Sequence, residues 1–219
     1  MAPIREPAEL VGRTMKITKQ QAEHNRARVV ETAARLFREK GFEGVGVADL
    51  MRAAGLTHGG FYNHFESKDE LSAAACAHAL AQAVAAIESV AESQPAKAEA
   101  LGEYRRRYLS HKSRDAEGFR CPMVAFGSDV SRQGPELRDV YAGGLKRYLD
   151  AFVRAYASER GGRRAEADLR AEAIAHFATM VGAVSLARSV AKADPVLSDE
   201  ILDATLANLE GAKVKRRRR

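Results

Sequence analysis

Apolar residues recur every three to four positions along almost the whole chain, and no run alternates strictly between apolar and polar. That pattern excludes a sheet and commits the chain to amphipathic helices. Gln21 to Lys40 sets the period: Val29, Val30, Ala33, Ala34, Leu36 and Phe37 share one broad face, and Gly41 closes the helix. Val47–Ala54 reads as a short second helix stopped by Gly55, and Thr57 caps a third that reaches about His64. Ser67, followed three residues later by Glu70, is a capping box opening a long helix to about Ser93, with Ala73, Ala77 and Ala81 as a small, close-packing face. After Pro95 come helices over Ala96–Lys112, Pro122 to about Arg132, Glu136–Glu159 and Ala165–Ala191, with a polar loop at 113–120. Asp194-Pro195 ends the penultimate helix, and Ser198 caps the last. No internal repeat of fixed period interrupts this order. The expected fold is all-α: three helices followed by six.

The 219 residues are 46% apolar, enough for a substantial core. Of the 35 Lys and Arg residues, six fall within the last seven positions, which leaves the remaining 29 level with the 29 Asp and Glu. The folded body is therefore neutral, and any affinity for a polyanion must come from local charge. One such patch runs from Arg13 to Arg28, with five cations against Glu23 alone. The first twenty residues carry Pro3 and Pro7 and no apolar h-region, and Met15 could serve as an alternative start. No run approaches 18 consecutive apolar residues, so no membrane span is expected. Cys76 and Cys121 form neither a framework nor a metal motif, which fits a reducing cytoplasm. GxSxG, HExxH and P-loop patterns are lacking and the six histidines are scattered, so neither an enzyme nor a cofactor or metal is expected. The expected divisions are a flexible basic arm (1–20), a three-helix head (21–68), a longer helical domain (69–212) and a basic disordered tail (213–219).

The most informative stretch is 45–71, VGVADLMRAAGLTHGGFYNHFESKDEL. Two short helices joined by a turn containing Gly55 are what a helix-turn-helix requires. Leu50, Ala54, Leu56 and Phe61 stand where those helices must touch. The second helix would then enter a DNA major groove. Thr57, His58, Tyr62, Asn63 and His64 supply hydrogen-bonding groups there. Gly59 and Gly60 each cost about 1 kcal/mol in a helix, a cost explained if backbone approaches DNA closely. Lys68, at the start of the next helix, and Arg26 and Arg28 on the first add phosphate contacts. The competing reading is a helical protein-interaction scaffold, whose DNA binding would be limited to the tail's effect.

Gly41-Phe42, Val47-Ala48-Asp49-Leu50, Ala54-Gly55-Leu56-Thr57 and Gly60-Phe61-Tyr62-Asn63-His64-Phe65-Glu66-Ser67-Lys68 resemble the N-terminal domain of TetR/AcrR-type transcriptional regulators. The resemblance covers residues 21–71. It implies a homodimeric repressor whose C-terminal helices bind a small effector and release the operator. It places Tyr62 and Lys68 on phosphate, and Thr57, His58 and Asn63 near bases or adjacent backbone. Gly46 departs from the pattern, because many members carry a capping threonine there.

Tyr104, Tyr108, Phe119, Met123, Phe126, Tyr141, Tyr148 and Phe152 could line an apolar effector pocket, or could be ordinary core. Phe177, Val181 and Val184, with Leu202 and Leu206, form a stripe suited to a four-helix dimer bundle, or to burial within one subunit. Cys121 precedes Pro122 at a helix start beside Arg120, a setting that lowers a thiol pKa. Regulators similar in architecture sense electrophiles through a cysteine near this point; the alternative is an inert, half-buried thiol.

Overall fold

The computed structural model describes residues 18–92, 97–116, 121–160 and 166–211. All regular structure among them is helical. Residues 1–17 of the expected arm, the whole of the expected tail (213–219) and Phe119 lie outside that range.

Helix α1 (Lys19–Lys40) starts two residues before the expected Gln21 because the Thr18 hydroxyl accepts from Gln21 N at 3.1 Å. Residues 18–20 therefore belong to the head. Helix α2 (Val47–Ala53) follows, then a 3-10 helix over His58–Asn63 where an α-helix was expected. Helix α3 (Lys68–Glu92) opens on the expected Ser67 cap, with Glu70 N donating to Ser67 Oγ at 3.1 Å. Its reciprocal bond lands one residue earlier than a standard box, from Glu66 N to Glu70 Oε2 at 2.7 Å.

The body departs from expectation in three places. The fifth expected helix is two: α4 (Lys97–Tyr108) and α5 (His111–Asp115). Ser110 causes the break, since its hydroxyl bonds back to Arg107 O at 2.8 Å and caps the new helix through Ser113 N at 3.1 Å. Part of the expected polar loop is thus helical. Helix α6 (Pro122–Phe126) is only five residues, ending at Gly127 before a 3-10 turn over Val130–Arg132. Helices α7 (Pro135–Arg160) and α8 (Glu166–Val190) run as expected. Helix α9 (Pro195–Leu209) is capped by Asp194, not Ser198: Asp194 Oδ1 accepts from Leu197 N at 3.0 Å. Ser198 is instead buried, bonding Ala187 O at 2.8 Å and receiving Arg114 at 2.6 Å.

Helices α3 and α7 make the central contact, with α1 on one side and α8 and α9 on the other. The close approach occurs at Gly144, where an added Cβ would stand 2.5 Å from Leu80 Cδ1. Leu80 takes the role expected of the alanine stripe, because Ala81 points to solvent. By length and composition α3 and α8 are apolar enough to cross a bilayer; here both pack one face against neighbouring helices.

Two polar clusters lie within the body. Arg105 donates to Glu159 at 2.6 and 3.1 Å and contacts His176 Nε2 at 3.0 Å, tying α4, α7 and α8. Arg114 joins α5 to α9 through Asp199 at 2.6 Å. Removing one partner of the largely buried Arg105–Glu159 pair should cost far more than loss of an exposed pair, whereas the half-exposed carboxylate of Asp199 makes the Arg114 contact weaker.

Candidate nucleic-acid interface

The head is built around Phe61, which is buried with Leu50, Met51 and Ala54, while Leu56 packs at the edge. Burying a phenyl ring of this kind contributes about 1.5–3 kcal/mol. Gly55 makes the turn at φ +68, a conformation that strains any residue with a Cβ. Leu56 N then returns to Met51 O at 2.9 Å. With Phe61 held inward, the opposite side of the short helix faces outward. Thr57, His58, Gly59 and Asn63 are exposed, and Tyr62 is 71% exposed with its ring edge-on to Phe61 at 5.2 Å. His64 and Gly60 are half-buried.

Thr57 occupies the cap position without capping; the turn closes through Gly60 N to Thr57 O at 3.0 Å. Its hydroxyl is therefore not committed to the helix end. A Cβ on Gly59 would meet nothing within 4 Å, and one on Gly60 only ordinary contacts at 3.6 and 3.8 Å. Internal packing does not require either glycine, which fits the expected close approach of a ligand's backbone. Gly46 heads α2 with no side-chain cap, as its departure from the family pattern implied.

The three basic candidates divide. Lys68 is 29% exposed, with Nζ 3.9 Å from Glu43 Oε2, a loose pairing that leaves it able to turn outward. Arg28 NH2 reaches Gly55 O at 3.5 Å, across the turn. Arg26 is engaged within the protein, with Glu70 at 3.0 Å, His64 O at 3.4 Å and the Phe65 ring 4.7 Å beneath it. Arg26, expected to add a phosphate contact, has its guanidinium on protein acceptors here, among them Glu70, whose expected role was a cap.

The expected pocket residues lie mainly inside the body. Tyr104 and Tyr148 hydroxyls share a 2.6 Å hydrogen bond, and Tyr108 OH donates to Cys121 Sγ at 3.0 Å. Met123 and Phe152 are buried, and Tyr141 is half-buried. Phe126 packs toward the head, its ring 4.8 Å from Phe42. There Asp129 Oδ2 also accepts from Phe42 N at 3.4 Å. The helix start does not activate Cys121. Burial pushes its thiol up, outweighing the Tyr108 hydroxyl and the amides of Val124 and Met123, which pull it down. The low-pKa expectation is corrected accordingly.

The expected dimer stripe is also redistributed. Phe177, Val184 and Leu202 are 4%, 1% and 0% exposed within one chain, so they cannot face a partner. Val181 and Leu206 remain half-buried. The outward apolar residues of α8 are Ile174 and Leu186, with Ala175, Ala178 and Gly182 between them.

An all-helical body carrying a helix-turn-helix head defines a class of protein. Within it, residues 29–75 of this chain match the family model of bacterial regulatory proteins, tetR family. The HTH-type transcriptional regulator TtgR of Pseudomonas putida is 41% identical over 54 residues, 25% of this chain and 26% of its own. The HTH-type transcriptional regulator AcrR of Shigella flexneri is 37% identical over 54 residues, 25% of each chain. The matched segment thus spans about a quarter of those relatives. A TetR transcriptional regulator from Chloroflexus aurantiacus superimposes with a TM-score of 0.70 at 27% identity, covering 88% of this chain and 95% of that one.

Proposed function

We propose that this chain is a dimeric, sequence-specific DNA-binding repressor released from its operator by a small effector. The carrying observation is the exposed row Thr57, His58, Tyr62 and Asn63 on a helix whose inward side is anchored by Phe61. Polar groups held rigidly but not used internally suit contact with base edges and phosphates. Tyr62 and Lys68 hold phosphate in this reading, and the neighbouring groups read the groove.

Dimerisation uses the outer face of α8 with α9. Support comes from Ile174 and Leu186, both exposed, and from Gly182, where an added Cβ would meet nothing. Small residues between large apolar ones let two helices approach closely, and a two-fold axis spaces two heads on successive major grooves. The effector site lies among Tyr104, Tyr108, Met123, Tyr148 and Phe152, whose hydroxyls offer the few polar tips of an otherwise apolar interior. The raised thiol of Cys121 favours a non-covalent effector over a captured electrophile.

The test begins by selecting bound fragments from random DNA, then measuring affinity across a salt series. Tyr62→Phe combined with Lys68→Ala should weaken binding and make the salt slope shallower by about one unit. A folded double variant with unchanged affinity defeats the assignment. In the same preparation, Val181→Glu, which places like charges near the two-fold axis, should sediment as a monomer; a persistent dimer moves the interface elsewhere.

A further inference from the structure

The guanidinium of Arg26 gathers three elements of the head. NH2 donates to Glu70 Oε1 at 3.0 Å on α3, and Nε donates to His64 O at 3.4 Å at the end of the 3-10 helix. Its Cζ lies 4.7 Å above the Phe65 ring. Glu70 completes the junction, because its second oxygen accepts from Glu66 N at 2.7 Å and its own amide donates to Ser67 Oγ at 3.1 Å. The connection from the recognition helix to α3 is thus closed by one Arg–Glu pair.

His64 O is a helix-end carbonyl with no partner inside its own helix, and Arg26 satisfies it. The same end of that helix carries Tyr62 and Asn63, which have no inward anchor beyond Phe61 and Phe65. We infer that Arg26 and Glu70 are a positioning pair for DNA recognition: they fix the angle of the recognition helix and touch no phosphate themselves. This rests on the DNA-binding reading above.

Three considerations separate the pair from a phosphate contact. The fork of Arg26 already points at protein acceptors. Glu70, with exposed Glu66 beside it, sets negative charge where a phosphate would have to come. The pair is also partly exposed, at 45% for Arg26 and 34% for Glu70. Exposed pairs contribute little to global stability, so its loss should register in the geometry of the head rather than in whether the chain folds.

The charges make the test sharp. Removing a carboxylate near DNA should strengthen binding if only Coulomb attraction matters. Removing a positioning carboxylate should weaken it. The experiment uses the full-length chain and its selected DNA, with affinity measured by fluorescence anisotropy from low to high salt. Glu70→Gln and Arg26→Gln should each weaken specific binding about tenfold with the salt slope unchanged, and the double variant should be no worse than either single one. Arg26→Lys should fail to rescue, because a point charge cannot hold the fork. The inference is overturned if Glu70→Gln tightens binding, if Arg26→Lys retains full affinity, or if Arg26→Gln flattens the slope by about 0.9, the mark of one lost phosphate. Thermal melts of each variant identify any that fail to fold, and Arg26→Lys, which keeps both charge and stem, then carries the decision. Absence of DNA binding by the unaltered chain would be a different result, removing the regulatory reading itself.

Discussion

Gly46 leaves the first turn of α2 without a side-chain acceptor, although Asp49 and Leu50 amides both reach its carbonyl at 3.1 Å. Its φ of −82 and ψ of 157 are what a serine or threonine cap adopts, and an added Cβ would meet nothing within 4 Å. Gly46→Ser should therefore satisfy an orphan amide at no steric cost. The expected gain is small, a few tenths to about 1 kcal/mol, because glycine is itself a tolerable cap. A raised midpoint in urea denaturation, with unchanged slope, is the measurement that checks it. Unchanged or lowered stability would show that the turn cannot accept the hydroxyl.

Elements with strong punctuation were legible, and those decided by side-chain competition were not. Gly41, Gly55 and the Ser67–Glu70 pair marked true boundaries in the head, since positive φ and capping are local properties. Ser110 breaks its helix by bonding backbone three residues to either side, a local competition that apolar periodicity does not register, whereas Ser198 is drawn inward by Arg114, remote in sequence. The α8 stripe failed for the same reason: apolar period reveals which residues are buried, not whether a neighbour in the same chain or a second chain buries them. Gly144 is the clearest case of a partner that spacing hides. Its replacement by alanine gains about 1 kcal/mol of helix propensity but drives a methyl to 2.9 Å from Leu80 Cβ, which is fully buried and cannot retreat. Overpacking of about 1–3 kcal/mol should win. Gly144→Ala should lower the melting temperature by a few degrees, and should cost less in a Leu80→Ala background, where the clashes with Leu80 Cδ1 and Cγ are gone. A rise in melting temperature would show that α3 and α7 separate freely.

Over the whole molecule, the buried ionisable groups predict how stability falls in base. Burial raises the Cys76 thiol from 9.0 to about 12, and Tyr141 from 10.0 to about 12. Both groups are neutral in the folded chain and ionise more readily when unfolded. Their stabilising contribution is complete below pH 9 and is lost as pH rises toward 12. Denaturation midpoints should thus fall between pH 9 and 11, and Cys76→Ala should make the decline shallower. A flat profile over that interval would contradict the burial of these groups.

Helix α3 starts at Lys68 beside the short 3-10 helix and runs along the body to the exposed Glu92, with Leu71 and Ala75 buried near one end and Leu80 and Ile87 along the other. One helix is therefore common to the head and the body. Phe42 against Phe126 adds a second weld between them. Neither part holds a complete apolar interior alone, so the chain should behave as a single cooperative folding unit. Calorimetry should show one transition whose van't Hoff and calorimetric enthalpies agree. A head cut away at residue 68 would expose the face of α1 that α3 covers, and should not remain folded by itself. Under the function proposed above, such cooperativity means that whatever stiffens or loosens the body changes the stability of the head, even where no atom of its outer surface is displaced.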